Sequence, residues 1–314
     1  MPVKLVMLMD PIESIKPHKD SSLAMLLAAQ VRGWSLHYVS PDNIAYDGQQ
    51  VVIRTQTLTV FDDNQHWFEA TPEETRPLSE FDLVLMRMDP PVDARYIYVT
   101  MLLQQAALQS DIVVANTPQA LLTRNEKLGI LEFQSWCAPT LVTSSADDIK
   151  HFVKQHTDTI LKPLDGMGGR SIFRLKDGDD NVNVILETLL QQTPMVMIQR
   201  YIPAITKGDK RLLLIDGKPI DYALARIPSQ GEHRGNLAAG GRGQAQPLSP
   251  RDYAICEAVG PLLKQRGISF AGLDVIGDYL TEINITSPTC IREIEAAYPI
   301  DIAGQLLDTL AAQL

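Results

Sequence analysis

Lys162-Pro163-Leu164-Asp165-Gly166-Met167-Gly168-Gly169 is the segment of this 314-residue chain whose chemistry is easiest to read. A strand pattern ends in a lysine, and three glycines in four positions follow. Without Cβ atoms such a loop can bring backbone N–H groups close to phosphate oxygens, and Lys162 adds a point charge beside them. The same run also suits a plain hairpin turn that needs positive φ, so alone it leaves both readings open. Glu282-Ile283-Asn284 is the second candidate. Residues two apart in a strand share a face, so Glu282 and Asn284 point one way and Ile283 the other. Two oxygen donors side by side suit Mg²⁺, which takes a few protein oxygens and completes its shell with phosphate; a solvent-facing polar edge is the alternative. Asp274, on the preceding strand pattern, joins them only in the right register. A two-residue Gly277-Asp278 turn sets Asp274 opposite Thr281 and turns Glu282 to the other face. A three-residue or otherwise odd-length connection is therefore expected, placing Asp274 and Glu282 together.

The third candidate is a set of isolated arginines. Arg211, Arg226 and Arg234 lie at strand or loop positions, spaced too widely for helix-face ion pairs. Their rigid forks match carboxylates and phosphates, and each charge-assisted hydrogen bond is worth ~1.5–3 kcal/mol, against ~0–1 for an exposed pair. The chain carries a formal charge of −10, which argues against a general nucleic-acid binder. Between Gln199 and Arg242, however, eight basic residues face four acidic ones, a local +4. That reversal suggests a small anionic ligand in a cleft, or else a solvated basic face.

What is missing narrows the chemistry. The six histidines show no metal-ligand spacing, and no GxSxG elbow occurs. The first half holds no GxGxxG and no GxxxxGK[ST], so neither a dinucleotide loop nor a P-loop is present. Three dispersed cysteines (Cys137, Cys256, Cys290) suggest neither a disulfide framework nor a CxxC metal site. No apolar run approaches the ~20 residues of a membrane span. Leu5–Met9 is too short for a signal-peptide core. A cytoplasmic address with no membrane partner is expected.

These residues need elements to position them. Lys4–Met9, Leu36–Val39, Leu83–Met86 and Ile112–Val114 read as short strands. A helix capped by Asp20 or Ser21, with the stripe Leu23, Leu26, Leu27 and Val31, ends at Gly33; another spans Tyr96–Gln109. The alternation predicts a parallel sheet with helices on both faces. Beyond Asn116-Thr117-Pro118 the pattern changes. Helices are expected near Gln119–Trp136 and Ala146–Gln155, and strands at Thr159–Lys162, Ser171–Leu175 and Met195–Gln199. A hairpin is expected across Asp216-Gly217, a capped helix from Ser249, and a last strand pair at Phe270–Ile276 and Tyr279–Ile285. Ile227–Ser249, 23 residues rich in Gly, Ala, Gln and Pro, shows no period. It reads as a lid rather than a disordered insert, since loops this long in a compact domain usually carry function.

In this order the segments resemble the ATP-grasp superfamily, and within it the bacterial glutathione synthetase family. The likeness runs nearly end to end. It takes in Met9-Asp10-Pro11, Lys19-Asp20-Ser21-Ser22, Leu85-Met86-Arg87-Met88-Asp89-Pro90-Pro91 and Asn125-Glu126-Lys127. It continues through the glycine loop, Gly208-Asp209-Lys210-Arg211, Arg226-Ile227-Pro228 and the lid Arg234-Gly235-Asn236-Leu237-Ala238-Ala239-Gly240-Gly241. It ends at Leu280-Thr281-Glu282-Ile283-Asn284-Ile285-Thr286-Ser287-Pro288-Thr289. The lid and the final run are the specific parts. Arg170 departs from the small residue expected after the glycines. The resemblance implies an ATP-grasp fold behind an N-terminal Rossmann-like domain. Its three parts would span residues 1–122, 123–200 and 201–314, with a mobile loop at 227–249. It implies an ATP-dependent ligase joining γ-glutamylcysteine and glycine through an acyl phosphate, with Mg²⁺ as cofactor (Mn²⁺ a possible substitute) and a homotetrameric assembly. Lys127, Lys162, Gly166, Gly168, Gly169, Gln199, Arg200, Tyr201, Ile202 and Asp209 would hold ATP. Asp274, Glu282 and Asn284 would hold the metal. Arg211, Arg226, Arg234 and Asn236 would contact the transferred phosphoryl group or the substrate carboxylates, and Ser287, Thr289 and Arg292 would lie at the substrate end. Other ATP-grasp carboxylate–amine ligases, and an ATP-binding regulator that has lost turnover, are the competing readings.

Overall fold

The computed structural model describes residues 2–229, 235 and 240–314. Three sheets organise them. The first contains β1 (Lys4–Met9), β2 (Ser35–Val39), β3 (Ile44–Tyr46), β4 (Val51–Val60), β5 (Phe68–Ala70), β6 (Glu74–Pro77), β7 (Leu83–Arg87) and β8 (Val113–Ala115). Helices α1 (Ser21–Val31) and α2 (Ala94–Gln109) connect its strands, and α3 (Pro118–Thr123) follows. Strands β2, β1, β7 and β8 run parallel in that order. The expected parallel sheet is present in these four strands, and β3–β6 add an antiparallel extension to it through β4. The sequence pattern does not show them because the buried positions of β4 change phase, from Val51, Ile53 and Thr55 to Leu58 and Val60, and β5 and β6 are only three and four residues long. Asp20 caps α1 by accepting the Leu23 N–H at 2.7 Å, and Gly33 takes φ 72° beyond its end. The expected stripe is half right: Leu23 and Leu26 are fully buried with Met25 and Ala29, but Val31 is 87% exposed.

The second sheet is antiparallel, in the order β11 (Phe173–Lys176), β10 (Asp158–Pro163), β12 (Val196–Arg200), β9 (Thr140–Thr143). Helices α4 (Ala146–His156) and α5 (Val182–Gln192) cover it. Ile149, Phe152 and Val153 of α4 and Leu186 and Leu189 of α5 pack with Leu161, Leu175, Val196 and Ile198 in a separate small core. Where helices were expected near Gln119–Trp136, α3 stops at Thr123 and a 3₁₀ stretch, Leu128–Trp136, follows.

The third sheet is also antiparallel: β15 (Arg242–Pro247), β14 (Lys218–Ile227), β13 (Asp209–Ile215), β16 (Phe270–Ile276), β17 (Tyr279–Asn284). Asp216 (φ 49°) and Gly217 (φ 77°) make the tight turn between β13 and β14. Ser249 and Asp252 form the capping box of α6 (Pro250–Gln265). Helices α7 (Ile291–Glu295) and α8 (Ile302–Ala311) close the chain, and α8 packs on α1. Strand β15 corrects the reading of 227–249 as structureless. Arg-Gly-Gln-Ala-Gln-Pro has little strand propensity, and its pairing with β14 supplies the order. Asn116 ties the first sheet to the third, donating to Phe270 O (2.8 Å) and Ile285 O (2.7 Å) while its Oδ1 accepts the Phe270 N–H (2.9 Å).

Candidate active site

A cavity of about 490 Å³ opens between the three sheets. Its walls include Lys127, Lys162, Gly166, Gly168, Gly169, Gln199, Arg200, Tyr201, Ile202 and Asp209, all expected on the nucleotide side. They also include Arg211, Arg226, Asp274, Glu282, Asn284, Ser287 and Thr289. Arg234 and Asn236 lie outside the described residues. Gly235 between them is described and lines the cavity, where a Cβ would stand 2.4 Å from the Arg226 carbonyl oxygen and 3.0 Å from Asp209 Cβ. Arg292 is absent from the wall; its guanidinium is held by Asp62.

The register of β16 and β17 decides the oxygen-donor face. Ile276 pairs with Tyr279 across a two-residue Gly277-Asp278 turn, so the expected odd-length turn is wrong. Asp274 nevertheless pairs with Glu282, because the extra residue, Thr281, is accommodated as a bulge in β17. Thr281 hydroxyl donates to Asp274 O at 3.1 Å, and Thr281 O accepts the Lys162 ammonium at 3.1 Å. Asn284 pairs with Gly272 and donates Nδ2 to its carbonyl at 3.1 Å, so Oδ1 is the end left for the cavity. Two carboxylates and one amide oxygen thus share a face, a donor set that fits Mg²⁺ completed by phosphate oxygens.

Beside this face runs a buried ionic network. Arg211 Nε donates to Asp274 Oδ1 at 2.6 Å and Nη2 to Oδ2 at 3.1 Å. Arg226 Nη2 reaches Asp274 Oδ2 at 2.9 Å and Asp209 Oδ2 at 2.6 Å. Gly272 permits this geometry, since a Cβ there would stand 2.7 Å from Arg211 Cδ. Burial works against an ionised Asp274, but Arg211 and Arg226 together outweigh it and hold its carboxyl below the usual range. Burial dominates at Asp209 and pushes it up, with Arg226 opposing. Burial also lowers Lys162, partly offset by Glu282. Lys127 Nζ donates to Gly166 O at 2.6 Å and to Glu282 Oε1 at 2.9 Å, linking the glycine loop to the oxygen-donor face. Gly168 and Gly169 take φ of 63° and 79°, as a loop of this kind needs. Gln199 and Arg200 turn their side chains to Thr140 and Tyr279 at 2.9 and 3.1 Å, so the β12 end presents mainly backbone to the cavity.

Two residues quoted in the motifs received no role from the sequence. Glu126 Oε1 accepts the N–H groups of Ile285 (2.8 Å) and Thr286 (3.0 Å) and the Thr286 hydroxyl (2.9 Å). It thereby fixes the end of β17 that carries Asn284. Arg87 donates to Ser22 Oγ (3.1 Å) and Pro288 O (2.9 Å), pinning the Ser287–Thr289 turn to the first sheet. A motif can be recognised in one dimension, but these partners are 160 and 201 residues away.

The fold and the site define an ATP-grasp ligase. Solved structures share the architecture: D-cycloserine synthetase DcsG has a TM-score of 0.68 at 14% identity, covering 98% of this chain and 99% of that one. The ATP-grasp ligase PsnB, complexed with a minimal precursor, has a TM-score of 0.63 at 18% identity, covering 99% and 98%. Residues 3–122 match the family described as prokaryotic glutathione synthetase, N-terminal domain, and residues 126–299 match prokaryotic glutathione synthetase, ATP-grasp domain. Glutathione synthetases of Pseudomonas putida and Escherichia coli are 55% and 51% identical, over 100% and 99% of this chain and 99% of each relative. The chain belongs to the prokaryotic glutathione synthetase family, ATP-dependent ligases of glutathione synthesis.

Proposed function

We propose that this cavity joins γ-glutamylcysteine to glycine, with the residues above in defined roles. The observation that carries the reading is the Arg211–Asp274–Arg226 network, set directly beside Glu282 and Asn284 in the cavity that holds the glycine loop. Lys127 and Lys162 hold the ATP phosphates while Gly166–Gly169 cover them, and the backbone of Gln199–Ile202 receives the adenine. Asp274, Glu282 and Asn284 hold Mg²⁺. When bound, the metal offsets charge on the β- and γ-phosphates.

The cysteinyl carboxylate attacks the γ-phosphorus, the bond to the β-phosphate oxygen breaks, and ADP leaves with an acyl phosphate formed. Arg211 and Arg226 supply fixed positive charge where the transferred oxygens gather it, so catalysis is positional and electrostatic. The amine of glycine then attacks the acyl carbon, phosphate departs, and the amine proton is released. Arg234 and Asn236, in the glycine-rich stretch, contact the phosphoryl group and keep water from the acyl phosphate. Ser287 and Thr289 bind the dipeptide. Functionally the chain divides at 1–122, 123–200 and 201–314, and it works as a cytoplasmic homotetramer in which Mn²⁺ can replace Mg²⁺. Among the described residues no helix is long and apolar enough to cross a membrane.

The test is ADP release by purified protein with ATP, Mg²⁺, γ-glutamylcysteine and glycine, each omitted in turn. ADP together with glutathione by mass, only in the complete mixture, supports the assignment. ADP release that ignores glycine points to another acceptor or futile hydrolysis. Arg234→Ala should reduce turnover far more than ATP affinity, and an equal loss of both would remove its assigned role.

A further inference from the structure

Most carboxylates in the cavity wall are already committed. Asp20 caps α1, Asp10 Oδ2 accepts the Asp89 N–H at 2.9 Å, and Glu282 pairs with Lys127 at 2.9 Å. Asp209 keeps one oxygen without a partner among the described residues, but Arg226 pairs with the other. Glu293 is different. Its Oε2 is buried, it has neither a hydrogen bond to that oxygen nor an ion pair among the described residues, and it lines the cavity. A buried carboxylate oxygen left without a donor is costly, so such an atom in a cavity wall calls for a cationic donor from a ligand.

The position of Glu293 says which part of the ligand that is. Helix α7 packs on β14 and β15 of the third sheet and also on α1 and the 3₁₀ turn Pro17–Lys19, and its Ile291 N–H donates to Ser21 Oγ at 3.3 Å, so Glu293 lies where the third sheet meets the N-terminal elements, beside Lys19. The backbone hinge Gln199–Ile202 belongs to the second sheet, and the Asp274–Glu282 face to the third. A dipeptide whose cysteinyl carboxylate reacts at that third-sheet face and which extends along the cavity toward Lys19 would bring its glutamyl end to Glu293. That end carries the only ammonium of γ-glutamylcysteine, on the same carbon as a free carboxylate. Lys19, also in the wall and acting electrostatically on Glu293, supplies the complementary charge.

We propose that Glu293 is the specificity residue that reads the α-ammonium of the γ-linked glutamyl group. The γ linkage leaves that amino-acid head intact, whereas an α-linked dipeptide has spent its α-carboxylate in the peptide bond. Glu293 therefore selects γ-glutamyl substrates over des-amino analogues, and with Lys19 over α-linked ones. The inference rests on the ligase reading above.

The experiment compares kcat/KM for γ-glutamylcysteine and glutaryl-cysteine, which lacks only the amino group, in wild type, Glu293→Gln and Glu293→Asp. Losing a charge-assisted hydrogen bond should raise KM for γ-glutamylcysteine roughly 10- to 100-fold in Glu293→Gln, with kcat and the KM for ATP little changed. Glutaryl-cysteine, which never made the contact, should be used as by wild type, so the discrimination collapses. Glu293→Asp, which keeps the charge, should recover part of it. Undiminished discrimination in Glu293→Gln overturns the assignment, as does an equal loss on both substrates that Glu293→Asp does not relieve. Wild-type enzyme making no glutathione from γ-glutamylcysteine would instead overturn the ligase reading itself.

Discussion

Arg211 and Asp274 are cross-strand partners on β13 and β16, joined by two hydrogen bonds of 2.6 and 3.1 Å. One was expected to meet phosphate and the other to hold a metal ion. In this fold they meet each other, and Arg226 completes the arrangement through Asp274 and Asp209. Two arginines and two aspartates neutralise one another in a buried place where an isolated charge would be costly. In the function proposed above, phosphate oxygens would take the place of the carboxylates at the arginines, and a cation the place of the arginines at Asp274.

Asp274→Asn should therefore harm both stability and activity. Breaking a buried pair by removing one partner costs about 3–5 kcal/mol, and turnover should fall at least ~100-fold. Replacing Arg211 and Asp274 together with apolar residues should recover much of the stability and none of the turnover. Urea unfolding beside an ADP-release assay checks this, and stability that stays low in the double variant would argue against mutual neutralisation.

Lys162 reaches the Thr281 carbonyl at 3.1 Å and lines the cavity beside the glycine loop. Lys162→Met should weaken ATP binding roughly 10- to 100-fold while leaving γ-glutamylcysteine affinity within about threefold. Calorimetric titration of each ligand separates the two, and unchanged ATP affinity would remove Lys162 from the nucleotide side.

Arg292 pairs with Asp62 on the β4–β5 loop rather than facing the cavity. With Asp62 69% exposed, the pair should contribute no more than about 1 kcal/mol. Arg292→Met and Asp62→Asn should have similar, non-additive effects on stability and change KM for γ-glutamylcysteine by less than about fivefold. A large KM effect confined to Arg292→Met would restore it as a substrate contact.

His37 is buried against the Phe81 ring, with Nε2 2.9 Å from Ser35 Oγ and Nδ1 without a partner among the described residues. Burial, helped by Arg76, lowers its pKa to about 4. A histidine that is easier to protonate unfolded than folded, with an unfolded value near ~6.5, leaves stability intact above that pH. Stability then falls as pH drops from about 6.5 toward 4, by at most about 3 kcal/mol. His37→Gln should flatten that part of the curve, measured as urea midpoints between pH 7.5 and 5. Parallel curves for the two proteins would show that another group is responsible.

By itself the sequence determined the local elements and the kinds of chemistry. Lys4–Met9 as a strand, Asp20 as a cap, the Asp216-Gly217 turn and the Ser249 capping box are set by residues a few positions apart. The glycine loop and the Glu282-Ile283-Asn284 face were legible for the same reason. Strand β15 was not, because its order comes from β14 rather than from its own side chains. Nor was the reason Asp274 faces Glu282: an extra residue can be taken up in a turn or in a bulge, and only cross-strand pairing selects Thr281. The pairing of Arg211 with Asp274, the clamp by Glu126 and the diversion of Arg292 to Asp62 join residues far apart in the chain. Side-chain type and spacing specify what a group can do, but burial and the nearest opposite charge specify what it does, and both are properties of the packed fold alone.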